Sequence, residues 1–263
     1  MRHCYGPSPP RGGEGGFEAR SPSSIERGYE VARAYGPRPS ALNKTVCDLM
    51  AEDLACRRGE RLVFAGVSFR LSGGGALLLT GPNGSGKTSL LRLLATLIAP
   101  AAGRLLWGTI GVDADIASYR AALHYVGHQD GVKPGLTPRE TLDFWAALRG
   151  HGAGRRPLLL DEALGTFALE TVADWPCRWL SAGQRRRLAL ARLVASPASI
   201  WLLDEPTSAL DHDSQLRLEH AIAGHRASGG LVVVASHTPI ALPAAELISL
   251  EAFAPLPDHD AAG

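Results

Sequence analysis

Over residues 60–71 the apolar positions Leu62, Phe64, Val67, Phe69 and Leu71 fall close to every second residue. That period predicts a strand pair or hairpin. Ser72-Gly73-Gly74-Gly75 reads as a turn, and Ala76-Leu77-Leu78-Leu79-Thr80 as a short buried strand. Residues 89–97 predict a helix that stops before Pro100, because proline cannot continue it. Residues 103–107 predict a strand, and 123–129 a strand running into a loop. Thr137-Pro138-Arg139-Glu140 is a capping box with proline at the first helical position, so a helix starts there and ends near Gly150. A second helix is predicted over 158–169. After Pro176 a third opens at Leu180-Ser181-Ala182-Gly183-Gln184. Residues 200–203 and 231–235 are unbroken apolar runs of the kind found in strands covered on both faces by helices. Strands alternating with helices predict an α/β fold with a mostly parallel central sheet.

Residues 1–49 break the pattern. Gly6-Pro7, Pro9-Pro10, Gly12-Gly13, Gly15-Gly16 and Gly36-Pro37 punctuate a stretch without apolar periodicity, which predicts a disordered extension. Met50, at the edge of the patterned region, is an alternative start for the natural chain. The folded domain is expected over 50–253, with a tail at 254–263. A composition of 45% hydrophobic and 20% charged residues fits a globular protein. The formal net charge of +1 gives no pull toward nucleic acid, and none is expected as a partner. No apolar run is long enough to span a membrane, so any membrane role must come through a partner. Cys4, Cys47, Cys56 and Cys177 lack metal-binding spacing and fit a reducing compartment.

The chemistry sits between the strand at 76–80 and the helix after it. Gly81, Pro82, Asn83, Gly84, Ser85, Gly86, Lys87 and Thr88 fit G-x-x-x-x-G-K-[ST], with Ser89 following. Glycines let backbone N–H groups wrap phosphate oxygens, and the helix N-terminus adds its partial positive charge. Lys87 is expected to reach the outer phosphates of ATP, and the Thr88 hydroxyl to bind Mg²⁺. Asp204 and Glu205 end the apolar run at 200–203. Asp204 suits the metal, and Glu205 suits a base that orients and deprotonates water.

Leu180-Ser181-Ala182-Gly183-Gln184 resembles the L-S-G-G-Q signature of the ATP-binding cassette family, with Ala182 in place of a glycine. The resemblance implies a P-loop NTPase fold with an antiparallel β subdomain and a small helical subdomain at about 135–182. It implies ATP and Mg²⁺ as ligands. It also implies a homodimer in which Ser181, Gly183 and Gln184 of one chain close on the ATP held by the other. Gln129 matches the family's metal-sensing glutamine, Ser208-Ala209-Leu210-Asp211 its interface turn, and His237 its γ-phosphate histidine. Arg58 stands where the family carries an adenine-stacking aromatic. Arg185, Arg186, Arg187 and Arg192 are expected on a solvated face or at phosphate across the dimer.

Tyr125-Val126-Gly127-His128-Gln129-Asp130-Gly131-Val132-Lys133-Pro134-Gly135-Leu136-Thr137, with Leu142-Asp143-Phe144-Trp145, is similar to the ATP-binding subunits of the haem exporter of cytochrome c maturation. This implies an ATPase held at the cytoplasmic face of the bacterial inner membrane by an integral, CcmB-like subunit, alongside other cytochrome c maturation proteins. His124 and His128 read as structural histidines, not haem ligands. A cassette for another transported substrate and a soluble cassette ATPase acting on DNA or ribosomes are the alternatives. The absence of coiled-coil inserts or a second cassette speaks against the latter.

Overall fold

The computed structural model describes residues 47–255. The extension expected at 1–49 falls almost wholly outside that range, as does most of the expected tail. Folded structure begins before Met50. Strand β1 (Leu49–Arg58) turns at Gly59 and pairs antiparallel with β2 (Arg61–Leu71). Leu49 is fully buried, and the carboxylate of Asp48 accepts two hydrogen bonds from Arg70. The boundary drawn at 49/50 therefore cuts a strand. The hairpin expected within 60–71 is a single strand whose partner precedes it. Periodicity hides that partner because β1 bulges between Ala51 and Leu54, where Asp53 has a φ of 49°, and the alternation of faces is lost.

β3 (Ala76–Thr80) leads into helix α1 (Lys87–Leu94). Next come β4 (Ala102–Trp107), β5 (Ile110–Gly111), α2 (Ile116–Ala121) and β6 (Leu123–Val126). Helices α3 (Pro138–Leu148) and α4 (Arg156–Thr166) form the predicted helical part. The chain then runs through α5 (Ala182–Ala195), β7 (Ile200–Asp204), α6 (His212–Ala227), β8 (Leu231–Ala235) and β9 (Glu246–Ser249). One sheet is antiparallel, in the order β2-β1-β4-β5. The other is parallel, in the order β6-β7-β8-β3-β9.

The apolar runs in β7 and β8 serve two cores. Leu202 and Val233 join Phe64, Leu77, Leu79, Leu90 and Tyr119 on one face. Trp201, Leu203, Val232 and Val234 join Leu142, Ala163, Leu188, Leu218 and Ile222 on the other. Helix α6 is not announced by periodicity, because it buries only the stripe Ser214, Leu218 and Ile222, too narrow to stand out. The expected capping box at α3 is present, with Thr137 Oγ1 accepting from Glu140 N and Glu140 Oε2 accepting from Thr137 N.

His124 lies inside. Its Nε2 is 2.5 Å from Ser196 O, which occupies the ring nitrogen that haem ligation would need. His225 stacks on Trp201 with ring centroids 4.0 Å apart. Burial pushes both imidazoles down, His225 to about 4. Both rings are neutral in the fold and gain protons more readily when unfolded. The stabilisation from His225 is complete above pH 6.5 and is lost as pH falls from there toward 4. The thermal midpoint should drop across that window. His225→Phe, which keeps a ring on Trp201, should flatten the drop.

Candidate nucleotide site

In the parallel sheet β6, β7, β8 and β3 are neighbours, so the loops leaving their carboxyl ends share one edge. The glycine loop follows β3. Gln129 follows β6, Asp204 and Glu205 end β7, and His237 follows β8. Topology alone thus gathers residues that lie up to 156 positions apart in sequence (81 to 237).

The glycine loop is built for close backbone approach. Gly81, Gly84 and Gly86 have φ values of 128°, 86° and 106°, which L side chains avoid. A Cβ on Gly86 would stand 2.8 Å from Val63 Cγ1 and 3.0 Å from Phe64 Cδ1. Lys87 is buried, and its ammonium donates to Gly81 O at 2.6 Å and Pro82 O at 3.0 Å, curling over the loop. Ser85 Oγ is buried without a hydrogen-bond partner. A buried hydroxyl left unpaired is costly, and a phosphate oxygen is a partner of the right kind. Ser89 is buried in the first turn of α1.

Thr88 Oγ1 donates to Asp204 Oδ1 at 3.1 Å, joining α1 to the end of β7. Tyr125 Oη is 3.4 Å from the other carboxylate oxygen. Burial first, and the Asp204 charge second, push that phenol up, so it stays protonated and can donate. Glu205 follows in left-handed backbone, φ 47°, with its N–H on Ala235 O at 2.8 Å. A non-glycine residue held there is strained, and such strain collects at functional sites. His237 Nδ1 lies 2.7 Å from Glu205 Oε2, and the His237 N–H is 3.3 Å from the same oxygen.

Ser181 caps α5. Its Oγ accepts from Gln184 N, while Gln184 Oε1 accepts from Ser181 N. This is a second capping box, formed within the signature stretch 180–184. Gly183 faces the 208–211 turn, where an added Cβ would be 3.1 Å from Ala209 O. Gln129 is solvent-exposed in its loop.

The arginines of α5 are not where they were expected. Arg186 is buried and donates to the backbone oxygens of Gly127, Asp204, Glu205 and Pro206 and to the Asp130 carboxylate. Arg187 donates to Phe167 O and Ala168 O, Arg185 to Leu180 O, and Arg192 to Tyr125 O. Each arginine ties down an internal carbonyl. The charge run suggested a solvated face because the sequence does not reveal which loops bring their carbonyls to α5.

The family model for ABC transporters matches residues 64–208, more than half of the chain. A cytochrome c biogenesis ATP-binding export protein CcmA of Rhodospirillum rubrum is 58% identical over 210 residues, covering 80% of this chain and 88% of that protein. The CcmA of Paramagnetospirillum magneticum is 52% identical, covering 78% and 94%. The chain belongs to the ABC transporter family, among its CcmA proteins. A solved ABC ATP-binding protein from Pyrococcus furiosus superposes with a TM-score of 0.68 at 22% identity, covering 79% of this chain and all of that one. A second, solved as a dimer in a post-hydrolysis state bound to ADP and Pi, gives 0.65 at 25% identity, covering 72% and 88%. As an ABC domain the chain binds ATP.

Proposed function

We propose that this chain is the ATP-hydrolysing subunit of the haem exporter of cytochrome c biogenesis, with residues 81–89 holding the triphosphate. The observation that carries the chemistry is the pairing of Thr88 with Asp204 beside Glu205 and His237. Two hard oxygen donors side by side suit Mg²⁺, which takes few protein ligands and keeps phosphate and water for the rest. Thr88 and Asp204 would hold it, with Gln129 at the same edge. When bound, the ion neutralises charge on the phosphate oxygens. Lys87 leaves the loop carbonyls for the outer phosphates, and Ser85 Oγ finds its missing acceptor there. Glu205 orients water and accepts its proton, while His237 steadies that carboxylate and lies next to the outer phosphate.

The site is completed by a second copy. Ser181 and Ala182 are exposed at the start of α5, where capping leaves the free N–H groups of the helix open to an anion. In the homodimer they and Gly183 close on the partner's nucleotide. Among the described residues no helix is long and apolar enough to cross a membrane. Phe144 and Leu148 lie one turn apart on α3 and are more than half exposed. Exposed apolar groups of this kind support docking to an integral, CcmB-like subunit at the cytoplasmic face of the inner membrane.

Lys87→Ala should weaken ATP binding about tenfold or more, since a charge-assisted bond to phosphate is lost. Nucleotide titration of the purified chain with and without Mg²⁺ measures this. Unchanged affinity would remove the loop from the site. In cells, deletion should abolish holo-cytochrome c, and normal haem attachment would overturn the assignment of cargo.

A further inference from the structure

Of the apolar side chains in the segment carrying His237, Ile240 packs against a core and is itself only partly buried. Residues 236–241 span a cavity of about 590 Å³ lined by Leu78, Thr80, Gln215 and Glu219. His237, Thr238 and Pro239 are exposed. A loop with few buried apolar contacts opens at low cost unless polar bonds hold it. Here three side chains do so. Glu219 Oε1 accepts from Ala241 N at 3.0 Å and from Gln215 Nε2 at 2.9 Å. Gln215 Nε2 also donates to Pro239 O at 3.0 Å. Thr207 Oγ1 is 2.7 Å from Thr238 Oγ1. All three belong to the stretch between Glu205 and the middle of α6, which Asp211 caps through Ser214 N.

We propose that Glu219, with Gln215, is a positioning residue for hydrolysis: it fastens the 237–241 loop to α6, so that His237 is held against Glu205 and moves with the 207–211 turn. Glu219 touches neither Glu205 nor the glycine loop by any hydrogen bond, so it acts through the loop. The carboxylate is the right group because one oxygen must accept two N–H donors at once, which an ionised acceptor does best. The proposal rests on His237 and Glu205 acting at the γ-phosphate, as set out above. It goes beyond that reading by making their placement depend on the face of α6.

The test is steady-state ATP hydrolysis by the full chain, with hydrogen exchange read at 237–241. Glu219→Ala should lower kcat about tenfold, since small misplacements of catalytic groups cost one to two orders of magnitude. KM should be unchanged, because the glycine loop is untouched. Exchange at 237–241 should speed up, while the rest of the sheet stays protected. Glu219→Gln, which keeps an acceptor oxygen, should recover most of the rate. Gln215→Ala should lose an intermediate amount with the same split. A kcat within twofold of wild type in Glu219→Ala, unchanged exchange in the loop, or a parallel loss of KM and thermal midpoint would overturn the clamp. A wild-type chain that hydrolyses no ATP would instead sink the functional reading, and the exchange rates would still decide the clamp.

Discussion

Glu205→Gln should bind ATP as tightly as the wild type and hydrolyse it roughly 10²–10⁴ times more slowly, the range general base catalysis usually contributes. The amide is close in shape to the carboxylate and still accepts the His237 N–H, so the strained turn at Glu205 should survive. What it cannot do is take a proton from water. The groups proposed to hold phosphate, Lys87, Thr88 and the loop N–H groups, make no use of Glu205 Oε2, whose polar partner is His237. Binding and turnover should therefore separate. Bound but uncleaved nucleotide favours the sandwich of two chains, so the variant should run as a dimer in ATP and Mg²⁺ and as a smaller species without them. Rapid-quench hydrolysis and sedimentation give the two readouts. Wild-type turnover would remove Glu205 from the chemistry, and loss of nucleotide affinity would mean that it holds the loop instead.

The motif residues were legible because their spacing carries their chemistry. A strand, a glycine loop and a helix can be read locally, and so can two carboxylates closing an apolar run. The apolar runs at 200–203 and 231–235 announced strands covered on both faces, and their alternate residues do enter separate cores. What stayed hidden depends on contacts between distant segments. β1 was lost because a bulge at Asp53 erased its alternation, and α6 because its buried stripe of three positions is too narrow to stand out. The hold of Glu219 on Ala241 could not be seen, since a carboxylate within a polar helix looks like any solvated charge until the loop is laid over it. The same limit misplaced the arginines of α5, and one of them matters most.

Arg186 should be the least replaceable side chain outside the phosphate loop. Its guanidinium is buried and makes five bonds: to Gly127 O at 2.9 Å, Asp130 Oδ1 at 3.3 Å, Asp204 O at 3.0 Å, Glu205 O at 2.7 Å and Pro206 O at 3.3 Å. These acceptors belong to the loop carrying Gln129 and to the turn carrying Glu205, while Arg186 stands on the helix that Ser181 caps. One planar fork thus joins three parts of the site. The chain reverses at Glu205 in left-handed backbone, and the Glu205 carbonyl accepts from Ser208 N at 3.2 Å as well as from Arg186. Arg186→Met fills much of the same space and takes the guanidinium donors away from all five acceptors, the Asp130 carboxylate among them. Removing one side of a buried charged network costs about 3–5 kcal/mol, and at this chain length the thermal midpoint should fall by on the order of 10 °C. Arg186→Lys should rescue little, because one ammonium offers three donors from a single point and cannot span five acceptors. A chemical denaturation curve within about 1 kcal/mol of wild type, which is the ordinary cost of a random substitution, would show that the turn holds its own shape. A folded Arg186→Met with undiminished ATPase activity would show that the three loops keep their places without it.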